Sequence, residues 1–257
     1  MTLTSSIDTM DQLPEYCEVL DTDYGRIVVN KYDTAQTGFY RHSRNAINHH
    51  ELVQLEGIFR EHAANHPLYP PSTSFSMIDV GANIGTWGLY FRHMSELSII
   101  VMIEPLRAFY DMIRKTVELN EAADKLWPIY AAVGAQAGKI QVPEFDWTKP
   151  TNFGGIELGE QQREFIGQAR TGMGETVELI TLDEAAQALL PQLVIKIDVE
   201  GMEADVLRGA RSLIMTHRPI LFVEFLKSDQ DELRQLFDEL GYTVEKWHTD
   251  FLARPRP

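Results

Sequence analysis

The stretch that most constrains this chain is Ser76 to Phe91, which reads Ser-Met-Ile-Asp-Val-Gly-Ala-Asn-Ile-Gly-Thr-Trp-Gly-Leu-Tyr-Phe. Met77 to Val80 is an apolar run around one acid, the pattern of a short buried strand. Gly81 to Gly85 forms a glycine turn, and Ile84, Leu89 and Met94 then recur at helical spacing. Strand, glycine turn and helix, in that order, build the ligand crevice of an open α/β sheet. Glycine lets backbone approach a ligand closely, and a helix start offers unpaired N–H groups. The spacing is not Gly-x-Gly-x-x-Gly and no Gly-Lys-Ser/Thr follows, so neither a dinucleotide fingerprint nor a phosphate-cradling loop is expected. Asp79, near the carboxyl end of the strand, is expected to face the crevice. A carboxylate there repels pyrophosphate but suits a ligand that carries an ammonium group.

A second apolar run, Ile99 to Ile103, ends in Glu104-Pro105. An acid at the end of the second strand can accept hydrogen bonds from both hydroxyls of a ribose. An ammonium-compatible turn with a ribose-binding acid points to S-adenosylmethionine, a nucleoside joined to an amino acid without phosphate. The plainer alternative is an ordinary strand–turn–helix with a buried aspartate.

With 257 residues, the chain can bury one sizeable core or carry a domain with an extension. Its formal net charge of −15 argues against non-specific binding to nucleic acid or to an anionic membrane, because both polyanions are repelled. The single cysteine, Cys17, precludes an internal disulfide framework and fits a reducing cytoplasm. Nothing around it promises a reactive thiolate. No basic stretch with an apolar core opens the sequence and no run is long enough to span a bilayer, so neither a leader nor a membrane span is expected.

Residues 1–14 read as a polar arm. Val19-Leu20 and Ile27 to Val29 flank turn residues and predict a β-hairpin. Residues 34–43 read as loop, and residues 44–64 as a helix with Ile47, Leu52, Leu55, Ile58 and Phe59 on one face. His62 and His66, four apart, have zinc-like spacing but lack further ligands at metal spacing, and read as a solvated helix end. Pro67, Pro70 and Pro71 mark a junction, dividing an N-terminal arm, hairpin and helix (1–70) from a catalytic domain (71–257).

A helix is predicted over 107–119 with Asn120 as its stop, and a third strand over Leu126 to Val133, with a short strand at 139–143. Residues 144–176 interrupt the pattern with several glycines and read as a substrate loop or lid. Further on, Val177 to Leu182 reads as strand and Asp183 as the cap of a helix toward Leu190. Leu193 to Ile197 is a fourth strand, Met202 to Leu213 a helix, Pro219 to Phe225 a fifth strand, 229–240 a helix and Tyr242 to Trp247 a strand. Such alternation implies an α/β fold with a largely parallel sheet covered on both faces.

The chain resembles a class I S-adenosylmethionine-dependent methyltransferase and, more narrowly, the FkbM family. Five segments carry the likeness: residues 78–85 (Ile-Asp-Val-Gly-Ala-Asn-Ile-Gly), 103–105 (Ile-Glu-Pro), 131–134 (Ala-Ala-Val-Gly), 180–184 (Ile-Thr-Leu-Asp-Glu) and 196–210. The last, Lys-Ile-Asp-Val-Glu-Gly-Met-Glu-Ala-Asp-Val-Leu-Arg-Gly-Ala, is the most specific. Phe39-Tyr40 and His50-Glu51 are similar to aromatic and acidic residues that family members carry ahead of the domain, which implies a cofactor contact for Glu51. The resemblance implies a three-layer αβα, Rossmann-like sheet of seven mostly parallel strands with one reversed near the end. It also implies methyl transfer to a hydroxyl of a sugar, glycan or secondary metabolite, or to nitrogen of a peptide or amide side chain.

On this reading Asp79, Gly81, Asn83 and Gly85 lie beneath the methionine part, Glu104 takes the ribose, and Ala132 and Val133 lie by the adenine. Asp198, Glu200 and Glu224 sit at adjacent strand ends beside the transferring methyl. They can orient cofactor and acceptor, one can act as general base, or together they can hold Mg²⁺. Glu203 reads as a helix cap. His93, His217 and His248 read as surface or packing residues. The acceptor, the atom methylated, any metal and the oligomeric state stay open at this level. The non-catalytic alternative is a subunit that binds the cofactor without transferring methyl.

Overall fold

The computed structural model describes residues 13–70, 74–156, 170–185, 189 and 192–256. In chain order the elements are β1 (Cys17–Thr22), β2 (Gly25–Asn30), α1 (Gln36–Ser43), α2 (His49–Ala64), β3 (Phe75–Val80), α3 (Thr86–Phe91), β4 (Leu97–Glu104) and α4 (Arg107–Leu119). They continue as β5 (Leu126–Tyr130), β6 (Ala132–Val133), β7 (Gly138–Phe145), β8 (Arg170–Ile180), α5 (Leu182–Ala185), β9 (Leu193–Ile197) and α6 (Glu203–Gly209). The last are α7 (Arg211–His217), β10 (Ile220–Glu224), α8 (Gln230–Glu239), β11 (Tyr242–Trp247) and β12 (Asp250–Pro255).

Seven strands form one sheet in the order β11-β12-β10-β9-β3-β4-β5. Strands β10, β9, β3, β4 and β5 pair in parallel, and β12 runs antiparallel to both of its neighbours. The chain leaves β3 toward β4 on one side and returns to β9 on the other. That reversal opens a crevice at the carboxyl ends of β3 and β9, where open α/β sheets bind ligands.

Every residue of β3 and of β9 is buried, as expected of central strands covered on both faces. Alternate side chains feed opposite faces. Met77, Ile100, Met102 and Val194 join a core with α3, α4 and the N-terminal elements, including Val28, Tyr40, Leu52 and Phe59. Ile78, Val80, Ile103, Ile195 and Ile197 join a second core with α6, α7 and α8, including Val206, Ile214 and Phe237. The described residues before position 70 therefore pack within one of the two layers that cover the seven-stranded sheet. The hairpin is tied to α4: the Val28 N–H donates to Thr116 Oγ1 at 2.9 Å, and Asn120 exchanges hydrogen bonds with the Arg26 backbone.

Several predicted elements differ. Residues 36–43 are helix α1 rather than loop, and α2 begins at His49 rather than near residue 44. The predicted third strand splits: β5 stays in the main sheet, while β6 pairs with β8 in a separate three-stranded sheet, β6-β8-β7. The two ends of the expected loop at 144–176 belong to the antiparallel pair β7 and β8, residues 146–156 lie between them outside any strand, and residues 157–169, the centre of the lid reading, lie outside the described residues. Asp183 does not cap its own helix. Thr181 Oγ1 accepts from the Glu184 N–H, whereas Asp183 accepts from the N–H groups of Ser212 and Leu213 at the start of α7. The helix expected over 202–213 is two helices, α6 and α7, meeting at Ala210.

Candidate active site

The turn after β3 is shaped by its neighbour strand. Gly81 has φ +77°, and a Cβ there would stand 1.8 Å from the Asp198 carbonyl oxygen. The Asp198 N–H in turn donates to the Val80 carbonyl at 3.0 Å. Glycine at 81 thus answers the close approach of the chain leaving β9, whereas the spacing alone had suggested close approach of a ligand. Gly85 (φ +82°) precedes α3, and a Cβ there would meet Ile113 and Met102 within the core; it does not line the crevice. Asn83 adopts φ 53°, a conformation asparagine tolerates, and its Oδ1 accepts from the Ile84 N–H at 2.8 Å.

Glu104 sits at the end of β4 with both carboxylate oxygens held by backbone. Oε2 accepts from the Asn83 N–H and Oε1 from the Leu106 N–H, each at 2.8 Å. Burial pushes its pKa up to about 8 against these two donors, which favour the carboxylate. Glu104 lines a cavity whose walls include Ile103, Leu106, Phe109, Ala132 and Val133. Each carboxylate oxygen keeps acceptor capacity for a further donor.

Asp79 does not face this cavity. It is fully buried, its Oδ1 lies 3.1 Å from Lys196 Nζ, and its Oδ2 has no hydrogen-bond partner among the described residues. Burial raises its pKa and Lys196 opposes the rise. The same ammonium donates to the Gly81 carbonyl at 2.8 Å and lies 3.4 Å from Asp198 Oδ2. Burial works against the Lys196 charge, but Asp79 and Asp198 outweigh it and hold the group protonated. Lys196 and Asp198 line the cavity, so of the two carboxylates beside Lys196 it is Asp198, not Asp79, that borders it.

Strand β9 ends at Ile197, and Glu200 adopts φ 56°, so strand alternation does not bring Asp198 and Glu200 together. The turn does. One carboxylate oxygen from each of Asp198, Glu200 and Glu224 lies within 4.8 Å of the others. Burial and the Asp198 charge push Glu200 up to about 7, while Lys227, 2.7 Å away, opposes them. Glu224 is raised by burial and by Asp198, Glu200, Glu203 and Asp250; its Oε2 is buried with no hydrogen bond among the described residues, and it does not line the cavity. Glu203 is a fully buried cap, accepting from the N–H groups of Val199 and Gly201 and from Ser228 Oγ.

Across the cavity lie Phe153, Gly154 and Ile156, from the stretch read as a substrate loop, and two residues to which sequence reasoning gave no role, Gln36 from α1 and Asn48 at the start of α2. Gln36 Oε1 and Asn48 Oδ1 are buried with no hydrogen-bond partner among the described residues. The signal available was the polar amides themselves, Gln36 in a segment read as loop and Asn48 in one read as helix. Asp33 fastens this roof, accepting from the N–H groups of Thr37 and Phe153. Lys227 links it to the acids by donating to the Gly155 carbonyl at 2.7 Å. Glu51 does not line the cavity; its ion-pair partners among the described residues are His50 and His248. His93 pairs with Glu56, and Cys17 is pushed up to about 12 by burial, so neither supplies chemistry here.

No helix of the described residues is long and apolar enough to cross a membrane. Residues 79–244 match the family described as Methyltransferase FkbM domain. Methyltransferase sdnD of Sordaria araneosa is 26% identical over 184 residues, covering 61% of this chain and 69% of the relative. Among solved structures, Methyltransferase FkbM from Methylobacillus flagellatus KT aligns with a TM-score of 0.47 and 20% identity, over 73% of this chain and 45% of that one. The Pyrococcus abyssi tRNA (uracil-54, C5)-methyltransferase in complex with S-adenosyl-L-homocysteine aligns with a TM-score of 0.46 and 9% identity, over 93% of this chain and 44% of that one. The chain thus spans less than half the length of either solved structure.

Proposed function

The chain belongs to the FkbM methyltransferase family, and on that premise we propose that it transfers the methyl group of S-adenosylmethionine to a hydroxyl of a sugar, glycan or secondary metabolite. The observation that carries this reading is one cavity with a doubly anchored Glu104 on one side and the acids Asp198 and Glu200 on the other. The donor set suits the cofactor. Glu104 has spare acceptor capacity for the ribose hydroxyls, the apolar wall beside Ala132 and Val133 suits adenine, and Asp198 suits the ammonium that the sequence assigned to Asp79.

The cofactor supplies an electrophilic methyl group on a sulfonium. The protein aligns the acceptor, excludes water and takes a proton. Glu200 is the proposed general base. It lines the cavity, and a carboxylate pushed up to about 7 is matched to accepting a hydroxyl proton near neutral pH. Lys227 orients it at 2.7 Å. Asp198 positions the reactants and its charge, second to burial, raises the Glu200 pKa, while Glu224 lies outside the cavity lining. Mg²⁺ held by Asp198, Glu200 and Glu224 is not needed for this route. The acceptor is taken to be a small molecule or glycan rather than nucleic acid, in keeping with the net charge of −15.

The test is single-turnover transfer of labelled methyl to a panel of hydroxyl and amide acceptors. Glu200→Gln should lower the rate on hydroxyl acceptors by about 10²- to 10⁴-fold and remove the limb of the pH profile near 7. Binding of S-adenosylhomocysteine should change little. Transfer confined to a peptide or amide nitrogen would replace the hydroxyl reading. Binding without transfer to any acceptor would favour a non-catalytic subunit.

A further inference from the structure

A second cluster of ligating side chains lies outside the cavity lining. His50 and Glu51 are consecutive residues in the first turn of α2, and His248 begins the two-residue turn between Trp247 and Asp250, which pair across β11 and β12. His50 Nε2 lies 3.9 Å and His248 Nε2 3.8 Å from Glu51 Oε1, and the two imidazoles meet edge to face at 5.9 Å. One donor atom of each residue lies within 4.8 Å of the others. Consecutive side chains on a helix do not face each other, so both must turn toward His248 to converge. His248 itself holds φ 52°, the left-handed region that favours glycine. A segment distant in sequence thus presents an imidazole to a His-Glu pair at a helix start.

The donor set is selective. Two imidazoles and one carboxylate are the ligands of three-coordinate protein sites for zinc and related first-row ions, with a further position left for water or substrate. Two ligand atoms on one tetrahedral zinc stand about 3.3 Å apart, given bonds of about 2.0–2.1 Å. The two separations from Glu51 exceed that by roughly half an ångström, and the two imidazole donors lie within 4.8 Å of each other, a closure that the exposed His50 and His248 side chains (65% and 55% accessible) can make. The charge balance favours a cation. Among the described residues no lysine or arginine pairs with Glu51.

We propose that His50, Glu51 and His248 bind one divalent transition-metal ion of the zinc class, clamping the start of α2 to the β11–β12 turn. Glu51 is then a metal ligand, in place of the cofactor contact implied by family resemblance. The site is separate from Asp198, Glu200 and Glu224, and it stands apart from the methyl-transfer reading.

The test uses the full chain freed of metal with EDTA, titrated with Zn²⁺ by calorimetry and with Co²⁺ by visible absorption. The wild type should take up one equivalent, show the d–d bands of low-coordinate Co²⁺, and melt at higher temperature with Zn²⁺. His50→Ala and His248→Ala should each weaken binding by at least about tenfold and remove the bands. Circular dichroism confirms that these exposed variants fold. Glu200→Gln/Glu224→Gln should bind metal as the wild type does. No stoichiometric uptake by the wild type would overturn the proposal. So would undiminished uptake by the His50→Ala/His248→Ala double variant, or loss of binding in Glu200→Gln/Glu224→Gln.

Discussion

The ammonium of Lys196 lies 3.1 Å from Oδ1 of Asp79, directly across the β3–β9 register, and both side chains are buried. This pair, with the Gly81 carbonyl and Asp198, fastens the two strands at the point where the strand order reverses. Removing one partner of a buried ion pair strands the other charge, at a cost of about 3–5 kcal/mol. Lys196→Met should therefore lower urea stability by that order. The Asp79→Asn/Lys196→Met double variant should recover much of it. Wild-type stability in Lys196→Met alone would contradict a structural role for the pair.

With Glu104 as the proposed ribose acceptor, cofactor binding is expected to depend on pH. Burial pushes the pKa of Glu104 up to about 8, and ribose hydroxyls donating to it would favour the carboxylate, so binding should release a proton. Affinity for S-adenosylhomocysteine should weaken as pH falls below 8, by at most about tenfold per pH unit. Glu104→Gln should flatten this dependence. Glu104→Ala should weaken binding by about 1.5–3 kcal/mol, roughly ten- to a hundredfold. Calorimetry across pH 6–9 checks both, and a folded Glu104→Ala that binds like the wild type removes the ribose assignment.

The acid cluster costs stability at high pH. Burial first, then neighbouring carboxylates, raise Glu224 above its unfolded value, and burial foremost pushes Glu200 and Asp250 up to about 7. A carboxyl with a raised folded pKa contributes stability that is full below its unfolded pKa, about 4, and is lost as pH rises through the folded value. Melting temperature should therefore be highest in mildly acidic buffer and fall from about pH 5 toward pH 9. In Glu224→Gln the fall should be shallower, because one of the like charges is gone. A wild-type melting temperature that climbs from pH 6 to 9 would show that the acids are held charged by something else.

Gln36 and Asn48 each place at the cavity wall a buried amide oxygen with no hydrogen bond among the described residues. Buried acceptors in folded proteins have donors, so these two are expected to receive theirs from a bound ligand. Gln36→Ala and Asn48→Ala should each weaken cofactor or acceptor binding by about 0.5–1.5 kcal/mol, with melting temperature little changed. Unaltered Kd for S-adenosylhomocysteine together with unaltered acceptor KM in both variants would leave the two amides without a ligand role.

What the sequence determined is what short range determines. The strand, turn and helix of residues 76–91 and the position of Glu104 are carried by hydrophobic run length, glycine spacing and a strand-terminal acid, all within a few residues of one another. Contacts across the chain decided the rest. Residues 36–43 are polar and contain glycine, yet they hold a helix because Thr37 and Tyr40 are buried and Tyr40 bonds to Thr86. Gly174 suggested a loop but lies in strand β8, where a Cβ would stand 2.4 Å from the Val142 carbonyl of β7. A glycine inside a strand there marks close backbone approach, which no local pattern separates from a turn. The direction of Asp79 was undecidable locally, because its partner Lys196 lies on another strand and the choice between facing a ligand and facing a buried ammonium is made only when β3 and β9 pair. Likewise Glu200 joins Asp198 and Glu224 through a left-handed turn at the end of β9 rather than through strand alternation, a geometry set by packing.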